Sequence, residues 1–162
     1  MKNYLSILLL ALTSSLTYAQ KFEECEDIKL DDEEDFIASE ELVIECVDYI
    51  FACKLDDPGK SRENAVVFMF RWAIEAPYDF MILSWGSKLA KKHSQFIILQ
   101  LSAVVKSRLN NKEAEEDVVQ LEAATMVYNY IKDPQFRVQV KGPIKKFVAA
   151  GDQGTLAEFI EE

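Results

Sequence analysis

The stretch that most constrains the fold is residues 64–80, NAVVFMFRWAIEAPYDF, where a nearly continuous apolar run stops at Pro77. At about 100° per residue in a helix, its aliphatic and aromatic side chains would cover most of the circumference. Only Asn64, Arg71 and Glu75 would share a narrow polar strip, together with Val67. A helix that is apolar on nearly every side is buried among other elements, and Pro77 excludes the helical conformation from the residue before it. The stretch therefore predicts a central helix that ends near Glu75.

The rest of the chain also has helical periodicity. Apolar residues recur at three- and four-residue spacing, and turn-forming residues separate the periodic segments. The pattern predicts an all-α fold, a compact bundle of six or seven helices, with two divergent helical hairpins as a variant. The predicted helices begin after Ser39 and Ser61, cover 80–92 with Asp79 as the cap, cover 95–109, 112–132 and 143–150, and end with a short helix after Thr155.

Residues 1–19 have the pattern of a cleaved secretory signal. A lysine precedes a short apolar segment, and small residues occupy positions 17 and 19, just before Gln20. The apolar segment is shorter than the roughly 20 residues of a membrane-spanning helix. We therefore expect an exported protein, periplasmic or extracellular, without membrane insertion after cleavage. It would consist of an acidic flexible arm over residues 20–37 and a single helical domain over residues 38–162.

The formal net charge of −10 excludes one class of partner. Much of the charge lies in residues 23–35, where nine acids accompany one lysine. Like charges in a block repel one another and bury little, which is why a flexible arm is expected. Phosphate backbones and anionic membranes would repel such a chain, so nucleic acid is not an expected partner.

The three cysteines are Cys25, Cys46 and Cys53, an odd number for an exported chain. If Cys46 and Cys53 share a helix, they lie about 10.5 Å apart along its axis. That exceeds the roughly 7 Å between Cα atoms that a disulfide tolerates. A disulfide would therefore join Cys25 to Cys46 or to Cys53. Three buried, reduced thiols are the alternative.

His93 is the only histidine, which limits the available chemistry. A zinc site of several histidines is excluded, and no close cysteine pair replaces one. The glycine patterns that bind nucleotide phosphates and the GxSxG pattern of hydrolases are also missing from the sequence. A catalytic triad could form only through His93, whose lysine neighbours indicate a surface position at a helix end. No metal, cofactor or catalytic residue is predicted.

The candidate site is the corner where the end of the central helix, Tyr78 and Trp85 are expected to converge. Rigid aromatic side chains anchor many interfaces, so the first hypothesis is a non-enzymatic protein that binds an unknown protein or a small ligand. The alternative is a small hydrolase that uses a carboxylate, such as Glu75 or Asp79, or a thiol in a helical groove. The predicted site residues are Asn64, Arg71, Trp72, Glu75, Tyr78, Asp79 and Trp85.

Two features together carry a resemblance. The Arg71-Trp72 helix runs into the corner Ala76-Pro77-Tyr78-Asp79-Phe80, and the signal ends Tyr18-Ala19-Gln20. In these features the chain resembles a group of small exported helical proteins from Bacteroidota, which carry a similar tryptophan helix and proline-tyrosine corner. The resemblance implies an exported all-helical protein and implies no activity.

Overall fold

The structure, a computed structural model, describes Phe22 and residues 24–161. The predicted signal over residues 1–19 lies outside the described residues. Within them the chain forms eight α-helices, no strand and two short 3-10 turns, at Glu24–Asp27 and Pro134–Phe136. The helices are α1 (Glu33–Ala38), α2 (Glu40–Ala52), α3 (Lys60–Glu75), α4 (Ser84–Ala90), α5 (Gln95–Asn110), α6 (Glu116–Lys132), α7 (Pro143–Gln153) and α8 (Leu156–Glu161).

Two helical hairpins form the centre of the fold. α2 pairs with α3, α5 pairs with α6, and the packing of α2 on α5 joins the two hairpins. α4 packs on α5, while α7 and α8 cover α6. The predicted compact all-α fold is therefore confirmed, and the helix beyond the predicted count is the short α1.

Helix α3 buries one face and not its whole circumference. Phe68, Met69 and Trp72 lie in the core, but Val67 is 54% exposed and Ile74 is 77% exposed. The helical spacing predicted Ile74 among the buried residues, and it predicted Val67 and Asn64 on the polar strip. Of these three residues only Val67 lies as predicted, since Asn64 is buried. The reason is that α3 contacts other helices mainly on one side, so its outward face carries apolar residues without a partner in the described chain.

The expected flexible arm holds apolar side chains that the structure places in the core. Phe22, Cys25 and Phe36 are buried, and the Phe22 ring lies 4.9 Å from that of Tyr49. Asp32 accepts a hydrogen bond from the Asp35 backbone N–H at 3.0 Å and begins α1. Three well-placed apolar residues therefore attach the segment to the domain, while the carboxylates of Asp27 and of residues 31–34 are exposed.

The segment after Pro77 differs from the prediction. Asp79 caps no helix, residues 79–83 are not helical, and α4 begins only at Ser84. Two buried glutamines bind the backbone of this segment. The Gln100 side chain donates to the Leu83 carbonyl at 3.0 Å, and the Gln120 side chain donates to the Met81 carbonyl at 2.7 Å. Since these carbonyls are satisfied by side chains from α5 and α6, the segment can remain non-helical.

Candidate functional site

The two tryptophans of the predicted corner are fully buried and hydrogen-bonded. Trp72 Nε1 donates to the Phe36 carbonyl at 3.0 Å, and Trp85 Nε1 donates to Gln120 Oε1 at 3.2 Å. The Trp85 ring also stacks on Phe147, with 5.7 Å between centroids. Both indoles therefore act as core residues, with their polar atoms used inside the fold.

Tyr78 belongs to a small polar cluster at the surface of the corner. Its hydroxyl donates to Glu40 Oε1, and Lys112 Nζ lies 2.8 and 2.7 Å from the two carboxylate oxygens of Glu40. Burial, and next the hydrogen bond to Glu40, raises the pKa of Tyr78. The Tyr78 ring stacks at 5.9 Å on Trp72. The cluster connects the corner to the start of α2 and to the turn before α6.

The remaining predicted site residues do not converge. Arg71 Nη2 donates to the carbonyls of Cys25 at 3.2 Å and Ile28 at 2.7 Å, so its guanidinium holds the N-terminal segment on α3. Glu75 and Asp79 are exposed. The seven residues therefore divide into core residues, one backbone contact and separate surface groups.

The three cysteines are all buried. Burial raises the pKa of the Cys53 thiol to about 11; the negative charge of Asp57 acts in the same direction and the positive charge of Arg62 opposes it. A thiol with such a pKa stays protonated at neutral pH and is a poor nucleophile. The disulfide from Cys25 to Cys46 or Cys53 remains a prediction.

A cleft of about 900 Å³ lies away from the predicted corner. We call it the basic cleft; it is lined by residues of three segments, 52–58, 92–96 and 136–144. These are the end of α2 with its loop, the corner between α4 and α5, and the chain that leads from α6 into α7. None of the seven predicted site residues lines it.

The inner wall of the basic cleft is apolar. Leu55, Phe96 and Ile144 are buried core residues that reach the wall, and Phe136 is half-buried there. The Phe136 ring stacks 4.1 Å from the ring of Tyr130. The Tyr130 hydroxyl donates to the Cys53 carbonyl at 2.8 Å, and burial raises its pKa. The wall is thus held in place by ring packing and a buried hydrogen bond.

The rim of the basic cleft is mainly positive. Four basic side chains line it against two acidic ones, Asp56 and Asp57. His93 also lines it, with Nε2 2.8 Å from Asp56 Oδ1, while its buried Nδ1 has no hydrogen-bond partner in the described chain. The four basic residues are Lys54, Lys92, Arg137 and Lys141, and none forms an ion pair with a described carboxylate.

Two features near the rim are costly for the fold. Arg137 has a left-handed backbone, with φ of 52°, which residues other than glycine rarely adopt. Arg62 is only 6% exposed; its Nη2 donates to Gln95 Oε1 at 3.0 Å, but its Nε has no hydrogen-bond partner among residues 24–161. Its charge acts on the thiol of Cys53, a cleft residue. Strained backbone and uncompensated buried charge both occur often at binding sites.

Sequence reasoning missed the basic cleft because its parts are far apart in the chain. His93 and its neighbouring lysines were interpreted as an ordinary helix end, and Asp57 as part of a turn. The only local signal was the excess of lysine and arginine over residues 137–146 in a chain of negative charge.

Metal sites and membrane spans were sought in the part of the chain that the structure describes. No group of three or more histidine, cysteine, aspartate or glutamate side chains there could hold a metal ion. No described helix combines the length and apolar character that crossing a membrane requires. Comparison with protein-family models, with curated proteins and with solved structures gave no match.

Proposed function

We propose that the protein is an exported, non-enzymatic binding protein that holds a small ligand in the basic cleft. The observation that carries the proposal is the cleft itself, about 900 Å³ in volume, with an apolar inner wall and a polar rim. Ligand sites in proteins are typically concave, about 300–1,000 Å³ in volume, mostly apolar and provided with a few polar groups. Export rests on the sequence pattern of residues 1–19.

The alternative is a hydrolase, and one observation favours it. The same cleft is lined by Cys53, His93 and Asp56. A cysteine, a histidine and a carboxylate are the residue types of a thiol-based catalytic group. Against it stands the thiol pKa of about 11, set mainly by burial and by Asp57. An activated cysteine has a lowered pKa, since a nearby imidazolium stabilises the thiolate. The binding proposal is therefore preferred.

A fragment screen followed by NMR of the protein backbone tests the proposal. Fragments that bind should shift the amide signals of residues 52–58, 92–96 and 136–144 together. The matched variant is Ala52→Trp, which adds bulk at an exposed cleft position without touching a core residue. It should abolish those shifts while the melting temperature stays close to that of the parent protein.

Two results would contradict the proposal. If fragments shift only the amide signals near Tyr78 and Asp79, the binding site is the corner predicted from the sequence. Turnover of ester or thioester substrates that disappears in a Cys53→Ser variant would replace binding with hydrolysis.

A further inference from the structure

We infer that the ligand of the basic cleft is a single-chain amphiphile with an anionic head group, a carboxylate or a phosphate. This inference rests on the proposed function and adds the chemical class of the ligand. It combines the two halves of the cleft, an apolar wall that would bury a hydrocarbon chain and a basic rim that would bind the head group.

The charge distribution is the first argument. The whole chain has a formal net charge of −10, yet the cleft presents four basic side chains against two acidic ones. Elsewhere, four basic residues are paired with described carboxylates, while others, such as Lys91 and Lys145, are exposed and form no such pair. The four ion pairs are made by Lys106, Arg108, Lys112 and Lys132. The cleft cations make no such pair with a described residue, so an anionic ligand would supply the missing partner.

Buried charge behind the wall is the second argument. The Arg62 guanidinium is almost fully buried and has no carboxylate within ion-pair distance among the described residues. Burying a charge without a partner is costly, and a partner of opposite sign reduces that cost. The positive charge of Arg62 would attract an anion bound in the adjacent cleft.

The third argument is the direction of two helices. Phe96 is the second residue of α5 and Ile144 is the second residue of α7, and both line the cleft. The positive ends of both helix dipoles therefore lie at the cleft, where they favour negative charge. Gly142, which precedes α7, lies against the Lys92 side chain, so Lys92 and Lys141 are at the same edge of the cleft.

The negative net charge of the protein also favours a small anion over a polyanion. A polyanion such as nucleic acid would extend beyond the cleft and meet the negative remainder of the surface. A small amphiphile would interact mainly with the cleft, because charges more than about 8–10 Å away are largely screened at physiological salt. A purely inorganic ion has no apolar part that could contact the wall, which includes Leu55, Phe96 and Ile144.

Isothermal titration calorimetry with matched probes tests the ligand class. The probes are decanoate, decyl phosphate, decanol and decyltrimethylammonium; the three ionic probes are kept below their micelle concentrations and decanol below its solubility limit. The two anions should bind more tightly than the alcohol, and the cation should bind most weakly. The stronger of the two anionic probes distinguishes a fatty-acid-like ligand from a phosphate-bearing one. Anion affinity should fall as salt is raised.

A pair of charge-reversal variants separates the cleft from the general field of the protein. Lys92→Glu with Lys141→Glu should weaken decanoate binding by about tenfold or more, because two attractions become two repulsions. The control is Lys91→Glu with Lys145→Glu, which makes the same change of charge at exposed positions outside the lining. It should change the affinity by less than about threefold.

The outcomes distinguish failure of the ligand class from failure of the proposed function. If decanol binds as tightly as decanoate, or if both double variants weaken decanoate equally, the ligand class is wrong and the cleft remains a binding site. If fragments shift the cleft amides but none of the four probes binds, the ligand class is again wrong. If neither probes nor fragments bind in the cleft, both proposals fail.

Discussion

Gln120 offers the sharpest test of how the helices hold the segment after Pro77. Its amide oxygen accepts from the buried Trp85 indole at 3.2 Å, and its amide nitrogen donates to the Met81 carbonyl and to Glu116, both at 2.7 Å. Gln120→Leu keeps the approximate volume and removes all three bonds. A buried indole N–H without an acceptor costs about 1–3 kcal/mol.

We therefore expect Gln120→Leu to lower the free energy of unfolding by about 2 kcal/mol. Urea denaturation followed by circular dichroism would measure this as a midpoint lower by about 1 M, given typical slopes. Gln153→Leu is the control, because Gln153 is exposed at the end of α7 and its substitution should cost within about 0.5 kcal/mol.

A double-mutant cycle identifies the bond responsible. In a Trp85→Phe background the indole N–H is absent, so Gln120→Leu should cost at least about 1 kcal/mol less than in the parent protein. An equal cost in both backgrounds would refute the reasoning, since the stability would then come from packing or from the Met81 and Glu116 bonds alone.

Three further predictions concern pH and packing. Because the pKa of Cys53 is raised on folding, its protonated thiol contributes stability that is complete below the unfolded pKa of 9.0 and is lost as the pH rises through the folded pKa of about 11. Cys53→Ala should therefore flatten the decline in melting temperature over that pH range. Lys132 lowers the pKa of Asp152, so Lys132→Met should move the carbon-detected NMR titration midpoint of Asp152 upward. Gly86→Ala should lower the free energy of unfolding measured by denaturant titration. A Cβ at this position would lie 1.8 Å from Gln100 Oε1 and would displace the Gln100 side chain, which binds the Leu83 carbonyl. No loss of stability would mean that Gln100 can move freely.

The elements that local chemistry controls were predictable from the sequence. The central helix ends at Glu75, as the restriction that Pro77 places on its predecessor requires. The helix over 95–109 was predicted despite its β-branched residues, and it appears as α5. Its many buried positions explain why its apolar run has no clear polar face.

The caps were less predictable because side chains had alternative partners. Ser39 ends α1 and begins α2, but its hydroxyl donates back to the Asp35 carbonyl at 2.7 Å and does not cap α2. Helix α3 begins at Lys60, before the expected cap Ser61. Helix α7 continues through Gly151 to Gln153, and Gly154, with φ of 74°, ends it. A local pattern gives candidates for a helix end, and the neighbouring elements select among them.

The aromatic corner shows why a distinctive local motif is weak guidance to function. Trp72 and Trp85 are conspicuous in the sequence, yet the fold uses both for packing, with each indole nitrogen bound inside the domain. The basic cleft draws on residues as distant as Asp56 and Lys141. Each of them is unremarkable in its own segment.

Residue spacing and the positions of proline and glycine determined that this chain is helical and about where its helices lie, because those properties depend on neighbours in the sequence. Only the tertiary structure decided which face of α3 is buried, why residues 79–83 are not helical and where positive charge collects. These outcomes depend on which helices pack together. Packing brings distant side chains such as Gln120 and Arg62 beside groups that no local pattern connects to them.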